Sequence, residues 1–374
     1  MATIEQRIRD HALELGLDGV GFAPAVPAEH LQFYLNWLAA GHHGEQSYLA
    51  RPDRVARRQD LNLILPGVQS LVVVARHYWL GPEPAELTAP DRGRISMYAR
   101  GTDYHAALLP QLNRLLTLIQ TEAGRPVRGR AYVDTGPLLE REHARRAGLG
   151  FIGKNCSLIQ PRRGSWLFLG VLLVDLALEP SATPGSPTCG ACERCLAVCP
   201  TGALVAPYTL DSRRCISYWT TYLSGIIPRA WRPWIGNQVF GCDLCQSVCP
   251  WNRFATPAAT MGQVVAGAPP LIPLLALSEI DFAQRYGRTP IGHLGRERFL
   301  RNVAVALGNW GAPKIVAPLA QALAEPSPTI RAHAAWALGR TEVRQAKRAL
   351  EKARSREDDP AVMEEIMWAL AETE

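Results

Sequence analysis

The chain has 374 residues, too many for one ordinary domain, and 47% of them are apolar, enough for more than one core. No run of about 18 apolar residues occurs, so no membrane span is expected, and the charged start MATIEQRIRDHALELGLDG has neither the apolar stretch nor the twin-arginine pair of an export signal. The formal charge of +6 permits a nucleic-acid partner without demanding one. A cytoplasmic protein is the expectation.

Ile4, Ile8, Ala12 and Leu15 recur at helical spacing, and Gly16 with the Asp18-Gly19 turn ends that helix. SLVVVARHYW (70–79) opens with a continuous apolar run and predicts a buried strand. QLNRLLTLIQTEAG (111–124) reads as a helix stopped by Gly124. GRAYVDTGP (129–137) predicts a strand entering a turn, and SWLFLGVLLVDLAL (165–178) one or two further strands. Loosely alternating helices and strands point to an α+β or α/β domain. No GxGxxG or Walker loop is present, which argues against a dinucleotide or ATP site.

Polar residues bunch where the apolar runs end, in GEQSYLARPDRVARR (44–58), RISMYARGTDYH (94–105) and VDTGPLLEREHARRAGLGFIGKN (133–155). Asp134 ends an apolar strand. Burial that raises its pKa would make it a general acid, whereas a cap on a helix starting near Leu138 accounts for it equally well. Arg141 and Arg145, one helical turn apart, either clamp a phosphate or face solvent. Tyr104 and His105 are either cofactor contacts or structural. Asp103-x-His105 resembles the start of the DxHxxG signature of proteins that place a histidine on cobalamin's cobalt, but Leu108 stands where that signature needs Gly.

Of nine cysteines, eight fall between Cys189 and Cys249. In a chain without an export signal such clustering points to metal rather than disulfides. Cys189-x-x-Cys192-x-x-Cys195-x-x-x-Cys199-Pro200 lets three thiolates of one tight loop reach one cubane, while the fourth serves the other cluster. The second motif is Cys215, a gap, then Cys242-x-x-Cys245-x-x-x-Cys249-Pro250. The crossed ligation of two-cluster ferredoxins gives one 4Fe-4S cluster Cys189, Cys192, Cys195 and Cys249, and the other Cys199, Cys215, Cys242 and Cys245. The insertion after Cys215, with Tyr218, Trp219, Tyr222 and Trp231, must then fold back. Structural zinc is the bland alternative, but it has no use for a CxxCxxCxxxCP run repeated in variant form. Cys156 stands apart and reads as a buried free thiol.

From about residue 290, Ala306-Leu307-Gly308, Ala337-Leu338-Gly339 and Ala369-Leu370-Ala371 each close a helix-like stretch, with Pro313, Pro326 and Pro328 between them. Either a short array of HEAT-like repeats or a helical cap on the preceding domain follows. Arg296, Arg298 and Arg301 either contact nucleic-acid phosphates or are merely solvated.

YARGTDYH, VDTGPLLEREHARRAGLGFIGKN and the two cysteine motifs, in that order, resemble epoxyqueuosine reductases, as do YLARPDR near residue 50 and TPIGHLGRERFLRNVAVALGN (289–309). The resemblance covers essentially the whole chain; reductive dehalogenases share only the general plan. It implies an α+β multidomain protein: an N-terminal α/β corrinoid-binding domain (1–180), a ferredoxin-like two-cluster domain (181–265), and a linker with all-α HEAT-like repeats (266–374). It further implies base-off cobalamin, a tRNA bearing epoxyqueuosine at the wobble position, and reduction to queuosine with two electrons and two protons, releasing water. In that reading Asp134 is the proton donor, Arg141 helps hold the modified base, and Tyr104, His105 and Lys154 attend the cofactor. Some family members carry Cys where Met97 stands. A flavodoxin or ferredoxin as electron donor and a monomeric state complete the expectation. The rivals are a corrinoid-dependent reductase of a small molecule and a non-enzymatic iron–sulfur electron carrier.

Overall fold

The apolar run at 70–77 becomes one of the two central strands of an antiparallel sheet. In the computed structural model, which describes residues 2–83, 88–182, 188–259, 262 and 264–372, strands β1 (Gly19–Pro24), β2 (Ser70–His77), β3 (Gly129–Tyr132) and β4 (Leu167–Val174) lie in the order β1-β2-β4-β3. Every pairing is antiparallel, so the sheet is α+β in topology, and 165–178 supplies one strand rather than two. The central strands are apolar on both sides because both faces are covered. Leu71 and Val73 pack with Ala144, Ala147 and Leu149 on one face. On the other, Gly170 lies under Leu112 of α2 (Tyr104–Glu122), where a β-carbon would come within 2.9 Å of Leu112 Cδ1. Helix α1 (Ile4–Glu14), which buries Ile8 and Ala12, packs beside α2.

Helix α2 starts earlier than its apolar spacing predicts. Asp103 is its N-cap and accepts the His105 backbone N–H at 3.1 Å, which gives Asp103 a structural role. Asp134 caps nothing: α3 (Glu140–Arg146) begins after Leu139, which makes no side-chain cap bond.

The packing divides the chain into two interleaved units. The first holds Met1–Gly81, Asp103–Arg213 and Leu244–Met261; the second holds Pro82–Thr102, Arg214–Asp243 and Gly262–Glu374. Neither unit is contiguous in sequence. One reason is that Arg94–Ile95 pairs in parallel with Gln238–Phe240 inside the second unit.

The recurring Ala-Leu-Gly strings, and Ala369-Leu370-Ala371 in the last, close stacked helices of that unit, α4 (Arg296–Trp310), α6 (Pro328–Gly339) and α8 (Pro360–Glu372), with α5 (Val316–Ala322) and α7 (Arg344–Arg354) between them. The repeat is a packing requirement. A β-carbon on Gly308 would lie 2.9 Å from Ala337 Cα, and one on Gly339 would lie 2.7 Å from Ala369 Cα and Cβ. Gly339→Val is therefore expected to cost roughly 1–3 kcal/mol by overpacking, read as a lowered thermal midpoint. The inserted segment does fold back, with Trp219 stacked on Trp231 at 5.9 Å and Tyr218 on Tyr222 at 5.7 Å. Among the described residues no helix is long and apolar enough to cross a membrane.

Candidate active site

The loop from β3 to α3 turns sharply at Asp134, whose φ of 60° is left-handed, a conformation that Asp tolerates better than most residues. Its side chain is 68% exposed. The expectation that burial raises its pKa is therefore corrected. The neighbouring His105 ring is the largest influence and holds the carboxyl below its usual range; desolvation works against this, and Tyr104 and the Arg141 charge reinforce it.

Three side chains from the start of α2 and β4 hold that carboxyl in place. Tyr104 donates its hydroxyl to Asp134 Oδ2 at 3.0 Å. His105 faces the same oxygen through Nε2 at 3.6 Å, while its Nδ1 lies 2.8 Å from Asp103 Oδ1. Phe168 stacks on Tyr104 at 4.4 Å, and His105 stacks on it at 4.1 Å. Burial alone would lower the His105 pKa, but Asp134 and Asp103 outweigh it, and the net shift is above 6.5. The two carboxylates thus favour the protonated imidazole, whose Nε2 lies 3.6 Å from the exposed Asp134 carboxylate.

The sequence reading passed over Glu140. Its Oε1 is buried with no hydrogen-bond partner. Burial pushes the carboxyl up to about 8; its own backbone N–H, Arg58 and Arg141 oppose the shift, and the Asp134 charge adds to it. A carboxyl raised in the folded state binds its proton more tightly there than unfolded, so stability falls as pH rises from about 4.5 to about 8 and is level above. Glu140→Gln should flatten that slope and stabilise the protein at pH 8 by on the order of 1–3 kcal/mol, measured by denaturation at a series of pH values. The sequence carried no signal for it, because an acidic residue in the first turn of a helix is ordinary.

Arg141 is exposed and donates to the Cys156 carbonyl. Arg145 is no second jaw, because it is bound to Glu142 at 2.7 Å and to Glu29. Cys156 is half-buried rather than buried, with a left-handed φ of 65°. Lys154 lies at the cysteine loop: its backbone N–H donates to Cys189 Sγ at 3.4 Å and its Nζ lies 3.4 Å from Glu193. Asn155 donates to the Cys245 carbonyl at 3.4 Å. The GFIGKN string is thus the neighbour of the cysteine motifs.

Cys189, Cys192, Cys195 and Cys249 line one cavity of about 250 Å³, together with Lys154 and Trp251. Burial raises the Cys195 and Cys249 thiols, and the neighbouring Cys189 adds to both. Four sulfurs converging from two separated motifs is the donor set of a 4Fe-4S cube. Cys199 accepts the Ala203 N–H at 3.3 Å. Burial pushes its thiol up, yet the donors from Thr201, Ala203 and Leu204 outweigh it and favour the thiolate. Cys199 and Cys245 belong to the first unit, Cys215 and Cys242 to the second.

Of the three arginines expected to contact phosphate, Arg301 is corrected by its burial, while Arg296 and Arg298 are partly exposed and engaged within the fold. Arg301 is fully buried and gives its donors to the carbonyls of Trp219, Leu223 and Gly225 at 2.8 to 2.9 Å. Arg296 is bidentate to Glu325 at 2.7 and 3.0 Å. Arg298 bonds the Leu294, Tyr222 and His293 carbonyls at 2.8 to 3.2 Å. Their forks hold the fold.

Comparison with known proteins gives three family matches: epoxyqueuosine reductase QueG, DUF1730, at residues 58–135, a 4Fe-4S double cluster binding domain at 188–252, and HEAT repeats at 296–371. An epoxyqueuosine reductase of Pseudomonas aeruginosa is 41% identical over 348 residues, which is 91% of this chain and 95% of that one. A solved epoxyqueuosine reductase with a tRNA-Tyr epoxyqueuosine-modified stem loop superposes with a TM-score of 0.90 at 31% identity, covering 99% of this chain and 98% of that one. The Bacillus subtilis enzyme, solved with its aspartate catalytic loop swung out of the active site, gives 0.90 at 30% identity, covering 99% of each.

Proposed function

Because the chain belongs to the epoxyqueuosine reductase family, we propose that it reduces epoxyqueuosine to queuosine at the wobble position of tRNA, with Asp134 delivering a proton to the departing epoxide oxygen. The reaction takes two electrons and two protons, converts the epoxide to an alkene and releases water. The observation that carries this reading is the Tyr104–His105–Asp134 constellation, exposed at Asp134, in the same compact unit as the four thiols around one cavity.

The cysteines fit the two clusters that the double-cluster match implies. Cys189, Cys192, Cys195 and Cys249 hold one, and Cys199, Cys215, Cys242 and Cys245 hold the other. Base-off cobalamin is the group that the family resemblance adds. The His105 nitrogens both face carboxylates, at 2.8 and 3.6 Å, a donor set that suits a corrinoid taking no imidazole from this residue. Bound together, these groups supply single electrons and a low-valent, strongly reducing centre.

The residues supply the rest. Tyr104 and His105 hold the Asp134 carboxylate toward solvent and keep a proton beside it. A substrate over the exposed carboxyl removes water from it, raises its proton affinity and draws the proton from His105 Nε2 to Oδ2. From there it passes to the epoxide oxygen. Arg141, exposed and anchored by one carbonyl, is placed to hold the modified base. Lys154 keeps the first cluster's loop in place through Cys189 and Glu193. The electrons come from a flavodoxin or ferredoxin, and a monomeric, cytoplasmic enzyme suits a tRNA substrate.

The test is mass spectrometry of nucleosides from epoxyqueuosine-containing tRNA incubated anaerobically with reconstituted protein, cobalamin and a chemical reductant. Cobalamin-dependent appearance of queuosine is expected. Intact clusters and bound cobalamin without conversion would point to a small-molecule substrate, and failure to bind cobalamin to an electron carrier.

A further inference from the structure

The buried donors of Arg301 and Asn302 have a common destination. The segment after Cys215 forms a single π-helical turn, Tyr218–Tyr222, closed by the Leu223 N–H on the Tyr218 carbonyl at 3.0 Å. So short a turn leaves carbonyls that no ladder satisfies, and buried carbonyls need donors. Helix α4 provides them. Arg301 takes Trp219, Leu223 and Gly225, and the Asn302 amide donates to Thr220 at 2.8 Å and to Val239 at 2.9 Å. Arg301 Nε and Nη2 also donate to Asn302 Oδ1, at 3.1 and 3.0 Å, which fixes the amide's orientation. Both side chains are fully buried.

The two segments joined this way end in cysteines. Trp219 N–H returns to the Cys215 carbonyl at 3.1 Å. Thr220 Oγ1 donates to the Ile216 carbonyl at 2.8 Å and accepts the Gly241 N–H, next to Cys242, at 3.0 Å. Two main-chain segments of different origin are thus tied to one helix, the nearest bonded carbonyl being Trp219, four residues after Cys215, in one and Val239, three residues before Cys242, in the other. An apolar contact would have packed α4 against the insertion without fixing its register; directional bonds to named carbonyls fix it.

We infer that Arg301 and Asn302 of the first helical repeat are positioning residues for Cys215 and Cys242, so that the repeat module serves as the frame of the second cluster. The inference rests on the reading that these two cysteines hold iron.

The test uses the full-length reconstituted protein and counts iron and sulfide per chain alongside the electron paramagnetic resonance signals of the reduced clusters. Cys215→Ala is the reference and should take iron from about eight to about four per chain. Asn302→Asp keeps shape but replaces the two N–H donors with an acceptor facing two carbonyls. It should lose iron toward the same value, or shift one cluster's signal and potential while leaving the other's unchanged. The nearly isosteric Thr220→Val, a milder change that deletes only the hydroxyl bridge, should shift that same signal. Full iron with both signals unchanged in Asn302→Asp and Thr220→Val, against a half-loaded Cys215→Ala, overturns this inference and leaves the ligand assignment standing. Full iron in Cys215→Ala overturns both.

Discussion

Asp134→Asn is expected to lower the rate of queuosine formation by about 10²–10⁴-fold, the usual contribution of a positioned general acid, while iron content and cobalamin binding stay at wild-type levels. The amide keeps the shape of the loop and can still accept from the Tyr104 hydroxyl that lies 3.0 Å away. It has no acidic proton to give. The substitution also removes the charge that, with Asp103, holds the His105 pKa above 6.5 against burial. The imidazole of the variant should therefore titrate lower, which nuclear magnetic resonance of the His105 ring reads independently of turnover. The wild-type pH profile has a sign that can be worked out. On the proposed relay the proton delivered through Asp134 comes from His105, whose pKa is raised, so single-turnover rates should be full at low pH and decline as pH rises through the His105 pKa. A profile that instead rises with pH would remove the imidazole from the relay, and near-normal turnover in Asp134→Asn would remove the carboxyl from the acid role.

What the sequence discloses about this chain depends on whether a signal is local. Cysteine spacing is local, and four of the eight cysteines meet at one cavity as their pattern requires. The Ala-Leu-Gly repeat is local too, because each glycine marks a close helix crossing. The apolar runs at 70–77 and 167–174 are strands because both faces of the sheet are covered. Other features depend on what the chain meets in space. Asp134 ends an apolar strand, which suggested burial, yet a left-handed turn places its carboxyl in solvent. Arg296, Arg298 and Arg301 look like a basic patch on paper, because a sequence cannot show that carbonyls from 219–225 lie in front of two of them and Glu325 in front of the third. Glu140 was silent for the same reason: an acidic residue at a helix start is ordinary, and only the packing around Oε1 makes it unusual.

Cys192→Ala is expected to abolish tRNA reduction and to take about four irons per chain with it. Cys192 lines the same cavity as Cys189, Cys195 and Cys249, so its loss leaves three sulfurs for a cube that needs four. Among the described residues that line the cavity there is no further cysteine, histidine or carboxylate to replace it; Lys154 is turned to Glu193 at 3.4 Å, and Trp251 packs edge-on against Phe151 at 5.3 Å. Damage should be confined to that cluster. Cys199 draws on its own donors from Thr201 and Ala203, so the second cluster's spectrum should persist in the variant. That selectivity also separates iron from zinc. A structural zinc site would lose a single metal ion per chain, with no change in visible absorption; an iron–sulfur site loses colour, iron and sulfide together. Activity should vanish rather than halve, because electrons that reach the substrate one at a time through a chain of centres stop where the chain is cut. An unchanged iron count in Cys192→Ala would take this residue off the ligand list, and residual turnover with half the iron would mean that the remaining cluster alone can feed the reaction.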